Sequence, residues 1–237
     1  MRLLRGHWQL LLIAAIIFAL WSTPIITPLK ILIVFMHEVS HGLAAVLTGG
    51  KIESLSISPQ QGGLAVTRGG NEFLISSAGY TGSLLIGVML FLVALKSNLD
   101  RTLMALLGGA ALLITAFYIR DLFALVFCAA TGVIMLLIAR FLPANANDMM
   151  LRIIGLISMI YVPYDIFSDT IARPDAHSDA YMLAEKFGGT SMLWGGIWLL
   201  ISSLVIAGSL RFGLGANSNI RFAGTPDDVP IAKKINT

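Results

Sequence analysis

The chain has 237 residues, of which 57% are hydrophobic and only 12% charged, with a formal net charge of +3. Soluble domains carry roughly 25% charged residues, so this composition excludes a water-soluble globular enzyme and requires most of the outer surface to face lipid. The cations are scattered through loops and tails without a Lys/Arg block, which excludes a nucleic-acid interface.

A spanning helix needs about 20 mostly apolar residues. The first such run covers residues 8–26, behind Arg2 and Arg5. It passes through Trp21-Ser22-Thr23-Pro24 without a small-x-small cleavage site, so it is expected to be a retained first helix and not a signal peptide. Pro24 and Pro28 break the chain, and a second span follows over 29–47. From 48 to 73 the pattern changes to short alternating segments, 52–57 and 64–67, bounded by Gly49-Gly50, Gly62-Gly63 and Gly69-Gly70. Period-two alternation between glycines predicts a small β-hairpin or sheet at the membrane surface, within an insert of about 49–73.

Further spans are predicted over 74–95, 103–119, 122–141, 149–167 and 193–210, giving six or seven in all. Leu107-Gly108-Gly109-Ala110 supplies small residues of the kind that allow close helix packing. Cys128, the single cysteine, stands in an apolar run, where it is expected to be a small buried residue; no internal disulfide and no Cys-x-x-Cys metal pattern is available. The fold class is therefore an all-α polytopic membrane protein with a small β element. Its membrane domain covers 1–211, and a polar, disordered tail is expected over 212–237.

Within the second span lies His37-Glu38-Val39-Ser40-His41. Histidines four apart on a helix share a face and can share one zinc ion, and Glu38 stands where a carboxylate can take a proton from the attacking water. Each of these residue types is disfavoured at membrane depth, so a chance match is least expected there. A catalytic zinc site needs a third protein ligand. His7 lies at the mouth of the first span and His177 in a polar loop. Asp165, near the end of an apolar span, is the distinctive acid, and Asp169 shares its helix face one turn later. Asp175 and Asp179 read as loop and cap residues, because Ser178-Asp179-Ala180 opens an apparent helix over 180–187. Arg120-Asp121 reads as a local interfacial pair.

The chain resembles the site-2 protease family of intramembrane zinc metalloproteases, and more closely its small peptidase M-fifty-B-like branch. The resemblance runs from Phe35 to about Trp198. It rests on His37-Glu38-Val39-Ser40-His41-Gly42 with Thr48-Gly49-Gly50, on Ser77-Ala78-Gly79-Tyr80-Thr81-Gly82, and on a C-terminal signature. That signature comprises Asp165-Ile166-Phe167-Ser168-Asp169, Ser178-Asp179-Ala180 and Trp194-Gly195-Gly196-Ile197-Trp198. It implies one zinc ion held by His37, His41 and an aspartate on a later span, best matched by Asp165 with Asp169 as the alternative, and Glu38 as the general base. The sequence departs from the wider family in two places. Tyr80 stands where an Ala-Gly-Pro segment has proline, and Asp165 lies between Tyr164 and Ile166 where a Leu-Asp-Gly signature is usual.

The expected function is hydrolysis of peptide bonds in membrane-embedded protein substrates. The alternative is a non-proteolytic, metal-binding membrane protein acting as an assembly or binding factor; the intact Glu38 favours the enzyme. A small ion transporter would show paired half-repeats, and none is visible in the sequence. The expected partners are a membrane protein substrate, the lipid bilayer and an accessory subunit for substrate recognition. The expected location is a multi-pass position in a prokaryotic plasma membrane.

Overall fold

The structure is a computed structural model that describes residues 2–172, 178–215 and 217–220. The readings made for Asp175, His177 and the tail beyond 220 lie outside the described residues. In chain order the elements are α1 (Arg2–Ala19), α2 (Thr27–Leu47), β1 (Lys51–Ile57), β2 (Gly63–Arg68), α3 (Glu72–Lys96), α4 (Asp100–Tyr118), α5 (Leu122–Phe141), α6 (Ala144–Phe167), α7 (Asp179–Phe187) and α8 (Ser191–Gly213). A single π-helical turn, Ser168–Ala172, continues α6.

Among the described residues, six helices are long and apolar enough to cross a membrane: α2, α3, α4, α5, α6 with its π turn, and α8. The predicted first span is shorter than expected. Its apolar stretch is Arg5–Ala19, below the roughly 20 residues that a crossing needs. The helix stops because the chain turns at once, with Thr23 Oγ1 donating to the Leu20 carbonyl at 2.7 Å and Pro24 following. At the other end His7 leaves helical geometry (φ −133°, ψ 16°).

The centre of the molecule is α2, α3 and α6. Helix α2 begins with a proline in its first turn, where a missing N–H costs nothing, and buries almost every residue from Lys30 to Met36. A span buried on all sides is expected for a helix enclosed by other helices and not by lipid. Helix α3 packs on α2 and on α6, and Ser158 Oγ of α6 donates to the Ser83 carbonyl of α3 at 2.8 Å. Helices α4 and α5 form a peripheral pair whose outer residues, such as Leu113, Phe117 and Ile134, are exposed to the surroundings. Their contact is backbone to backbone: a Cβ on Gly108 would come within 2.7 Å of the Gly132 carbonyl oxygen, so the predicted role of Gly108 in close packing has a direct cause.

The hairpin forms where the alternation predicted it. Strands β1 and β2 pair antiparallel from Lys51↔Arg68 to Ile57↔Gly63, with an irregularity between Ile52 and Ser54. Its inner face buries Leu55 and Ile57, and Ile52 reaches Gly42 on α2. Strand β1 also makes an isolated bridge, Leu55↔Ile119. Among the described residues no further strand pairs with the outer edge of β2. Gln61 at the turn adopts φ +65°, a left-handed conformation uncommon outside glycine.

Two local readings change. Arg120 donates to the carbonyls of Ala116, Phe117 and Ile119 at the end of α4, while Asp121 caps α5 by accepting the Ala124 N–H at 2.8 Å. The adjacent pair thus serves two helix ends. Part of the segment expected to be a loose tail is held: the Ser218 N–H donates to the Gly6 carbonyl at 2.8 Å, and Ser218 Oγ lies 2.7 Å from His7 Nδ1. The buried Arg152, paired with Asp148 at 2.6 Å, donates to the Ser218 carbonyl.

Candidate metal centre

The motif residues lie midway along α2, and helical spacing brings both imidazoles to one face, with ring centroids 4.7 Å apart. Helix α3 presses against that face. A Cβ on Gly79 would lie 2.5 Å from His41 Nε2 and would also strike His37, so only glycine lets the α3 backbone approach so closely. The same approach places the Ile75 carbonyl 2.6 Å from His41 Nδ1. A carbonyl oxygen only accepts, so Nδ1 carries the proton and Nε2 presents its lone pair outward.

What faces that lone pair is Asp179. Its carboxylate lies 3.3 Å from His41 Nε2 and 3.1 Å from His37 Nε2. These three side chains offer ligand atoms all within 4.8 Å of one another. Asp179 Oδ2 is buried, and no aligned N–H donates to it. Lone pairs aimed at a buried carboxylate repel unless a cation stands between them, and two imidazole nitrogens with one carboxylate are a donor set suited to zinc with a fourth position left open. The residues present therefore fit a metal ion.

Asp179 reaches the site because α7 is a short helix docked across it. Ser178 caps the helix, accepting the Tyr181 N–H at 3.2 Å, and Ala180 and Leu183 are fully buried beneath it. At its far end Lys186 pairs with Glu72 of α3 at 3.0 Å, and Phe187 meets Phe73 edge to face. The reading of Ser178 as the opening of a helix agrees with this geometry, but Asp179 does more than occupy the first turn.

Asp165, the acid favoured from sequence, lies in the last turn of α6, one turn after Tyr161. Asp169, the alternative, accepts the Tyr80 hydroxyl at 2.9 Å. Both line the same cavity as His37, His41 and Asp179, but neither is in the group of converging ligand atoms. The π turn after Phe167 carries Asp169 onward, and the chain then returns through α7 with a different aspartate. Glu38, the predicted base, is buried in this cavity. It sits beneath β2, with Gly63 against its side chain and the Ala65 backbone N–H facing its carboxylate. The cavity has a volume of about 660 Å³ and is walled by α2, the outer part of the hairpin from Gln60 to Thr67, α3, the end of α6, and α7.

A family model described as Peptidase M50B-like matches residues 10–209. The chain belongs to the Peptidase M50B-like family. No curated protein and no solved structure matches. Membership in a peptidase family, together with six apolar helices, makes this an integral, multi-pass membrane protein of a peptidase fold. The M50B-like match covers every residue of the His37, His41 and Asp179 cluster, as well as Glu38.

Proposed function

We propose that this M50B-like protein is an intramembrane zinc metalloendopeptidase that cleaves membrane-embedded protein substrates. The observation that carries the reading is the convergence of two motif imidazoles on the buried carboxylate of Asp179, with Glu38 in the same cavity. In this reading His37, His41 and Asp179 hold one zinc ion. Zinc, when bound there, supplies Lewis-acid chemistry, lowering the pKa of water and polarising a carbonyl.

The remaining steps belong to the chain. Glu38, shielded from bulk solvent and adjacent to His37, takes the proton from the attacking water and delivers it to the leaving nitrogen. The Ile75 carbonyl holds His41 in the tautomer that presents Nε2 to the site. A substrate helix hides its carbonyls in internal hydrogen bonds and must unwind before cleavage. The free edge of β2, directly above Glu38, offers backbone groups to an extended segment, and main-chain pairing of that kind gives affinity without demanding a sequence. The acidic and amide side chains in the cavity wall, among them Glu38, Gln60, Gln61 and Glu72, support a hydrated site within a membrane protein. A prokaryotic plasma membrane and an accessory subunit for substrate recognition complete the proposal.

Metal removal tests the reading. Protein purified in detergent should cleave a single-span peptide, lose that activity on treatment with a zinc chelator, and regain it with one equivalent of zinc. Cleavage that survives quantitative zinc removal would contradict it, and zinc binding without cleavage would favour an assembly or binding factor. The hairpin has its own test. Replacing residues 51–68 with a short Gly/Ser linker should leave zinc stoichiometry intact and reduce cleavage of a spanning peptide by at least about 10-fold, the loss of a few main-chain hydrogen bonds. Undiminished cleavage would remove edge pairing from the mechanism.

A further inference from the structure

His41 is oriented by a hydrogen bond from its second ring nitrogen to the Ile75 carbonyl, the usual device for a metal-binding histidine. His37 has no such partner: among the described residues, no carbonyl or carboxylate takes a proton from its Nδ1. Its ring is instead met edge to face by Tyr80, with centroids 4.9 Å apart and planes at 79°. Tyr80 is almost fully buried. Its other side lies against Trp198 of α8, at 5.3 Å, and its hydroxyl donates to Asp169 Oδ2 at 2.9 Å.

We infer that Tyr80 and Asp169 act together as the positioning device for His37: Asp169 anchors the phenol, and the phenol ring fixes the imidazole toward Asp179. The inference rests on the metal-site reading above and extends it to two residues that otherwise have no role. It accounts for Asp169, an acid close to the site that does not join the ligand group. It also accounts for tyrosine at position 80. Proline there could neither donate to Asp169 nor fill the space between His37 and Trp198.

An edge-to-face contact alone leaves a ring free to slide. Such pairs are weak on their own, and the phenol is itself held at two further points, the Asp169 carboxylate and the indole of Trp198. The arrangement ties together four elements: α2 through His37, α3 through Tyr80, the π turn through Asp169, and α8 through Trp198. The π turn also has a local reason in this account. It shifts Asp169 relative to a continuous α6 and places its carboxylate at the phenol, in keeping with the tendency of π-helical turns to occur at functional sites.

The test uses the full-length protein in detergent, with zinc affinity measured by chelator competition and the visible spectrum of the Co²⁺-substituted protein as a second readout. Neither readout requires peptide cleavage, so failure of the peptidase reading leaves this experiment interpretable. Tyr80→Phe keeps the ring and removes the anchor. It should weaken zinc binding about 10-fold, the lower end of the range for groups that orient a ligand, and alter the Co²⁺ bands. Asp169→Ala should produce the same loss, and the double variant should be no worse than either single one, because all three remove one hydrogen bond. Asp169→Asn retains an acceptor oxygen and should restore near-wild-type affinity. Wild-type zinc affinity and an unchanged Co²⁺ spectrum in Tyr80→Phe would overturn the inference. So would a loss in Asp169→Asn as large as in Asp169→Ala, which would assign the carboxylate to the metal itself. Should Tyr80→Phe fail to fold, the comparison of Asp169→Ala with Asp169→Asn decides the matter alone.

Discussion

Asp179→Ala is expected to lose stoichiometric zinc, with affinity reduced by more than about 100-fold, whereas Asp165→Ala should keep it. Removing a group that merely orients a ligand costs about 10- to 100-fold, and loss of one of three ligands should exceed that range. The geometry distinguishes the two acids: Asp179 stands 3.1 Å and 3.3 Å from the two imidazole nitrogens, while Asp165 lies outside the group of converging ligand atoms. Two histidines alone retain weak metal, so the affinity is the quantity to measure, by chelator competition, and not the presence of zinc. Asp179→Asn is a sharper variant still. It preserves shape and the helix-opening position of residue 179 while removing the charge, and it should fall with the alanine variant. Equal zinc affinity in Asp179→Ala and the wild type would remove Asp179 from the centre, and loss confined to Asp165→Ala would put Asp165 in its place.

Glu38→Gln is expected to keep zinc and lose catalysis by about 10²- to 10⁴-fold, the range that a positioned proton carrier contributes. Glutamine has nearly the same volume and can still sit beneath Gly63 and Ala65, so the cavity should remain intact. It has no basic oxygen to take the proton of the attacking water. Glu38 also differs from His37, His41 and Asp179 in that it does not join the cluster of converging atoms. Parallel zinc and turnover measurements on one preparation check this. A variant that loses metal together with activity would show Glu38 to be a structural member of the site, while unchanged turnover would remove it from the mechanism.

Much of this molecule is legible in its sequence because bilayer physics leaves few options. Runs of about 20 apolar residues must become helices, and alternation between paired glycines must become strands, so α2 to α6, α8 and the hairpin were all foreseeable. The first helix was overestimated because hydropathy is blind to the turn that Thr23 and Pro24 impose on an otherwise apolar run. At the site, His37, Glu38 and His41 are contiguous, and helical periodicity alone places both histidines on one face.

The third acid is a different problem. A carboxylate in an apolar span, as at Asp165, is expensive, but expense shows only that a group has some role. Asp179 looked ordinary because Ser-Asp-Ala is a good helix opening, and in α7 it is one. The same residue serves the helix end and the site. Its one signal was Ser178-Asp179-Ala180 within the family-like C-terminal signature. Tyr80 is visible in the sequence only as a departure from a pattern and Asp169 only as an alternative ligand, because the hydrogen bond between them joins positions 89 residues apart.

The most direct test of the central claim is to incubate the zinc-loaded wild type with a panel of single-span membrane peptides and map the new termini by mass spectrometry. Cuts inside the apolar segment of at least one peptide, absent from the Glu38→Gln reaction, are expected. Stoichiometric zinc with no new termini in any peptide, or cuts that appear equally with Glu38→Gln, would contradict the claim.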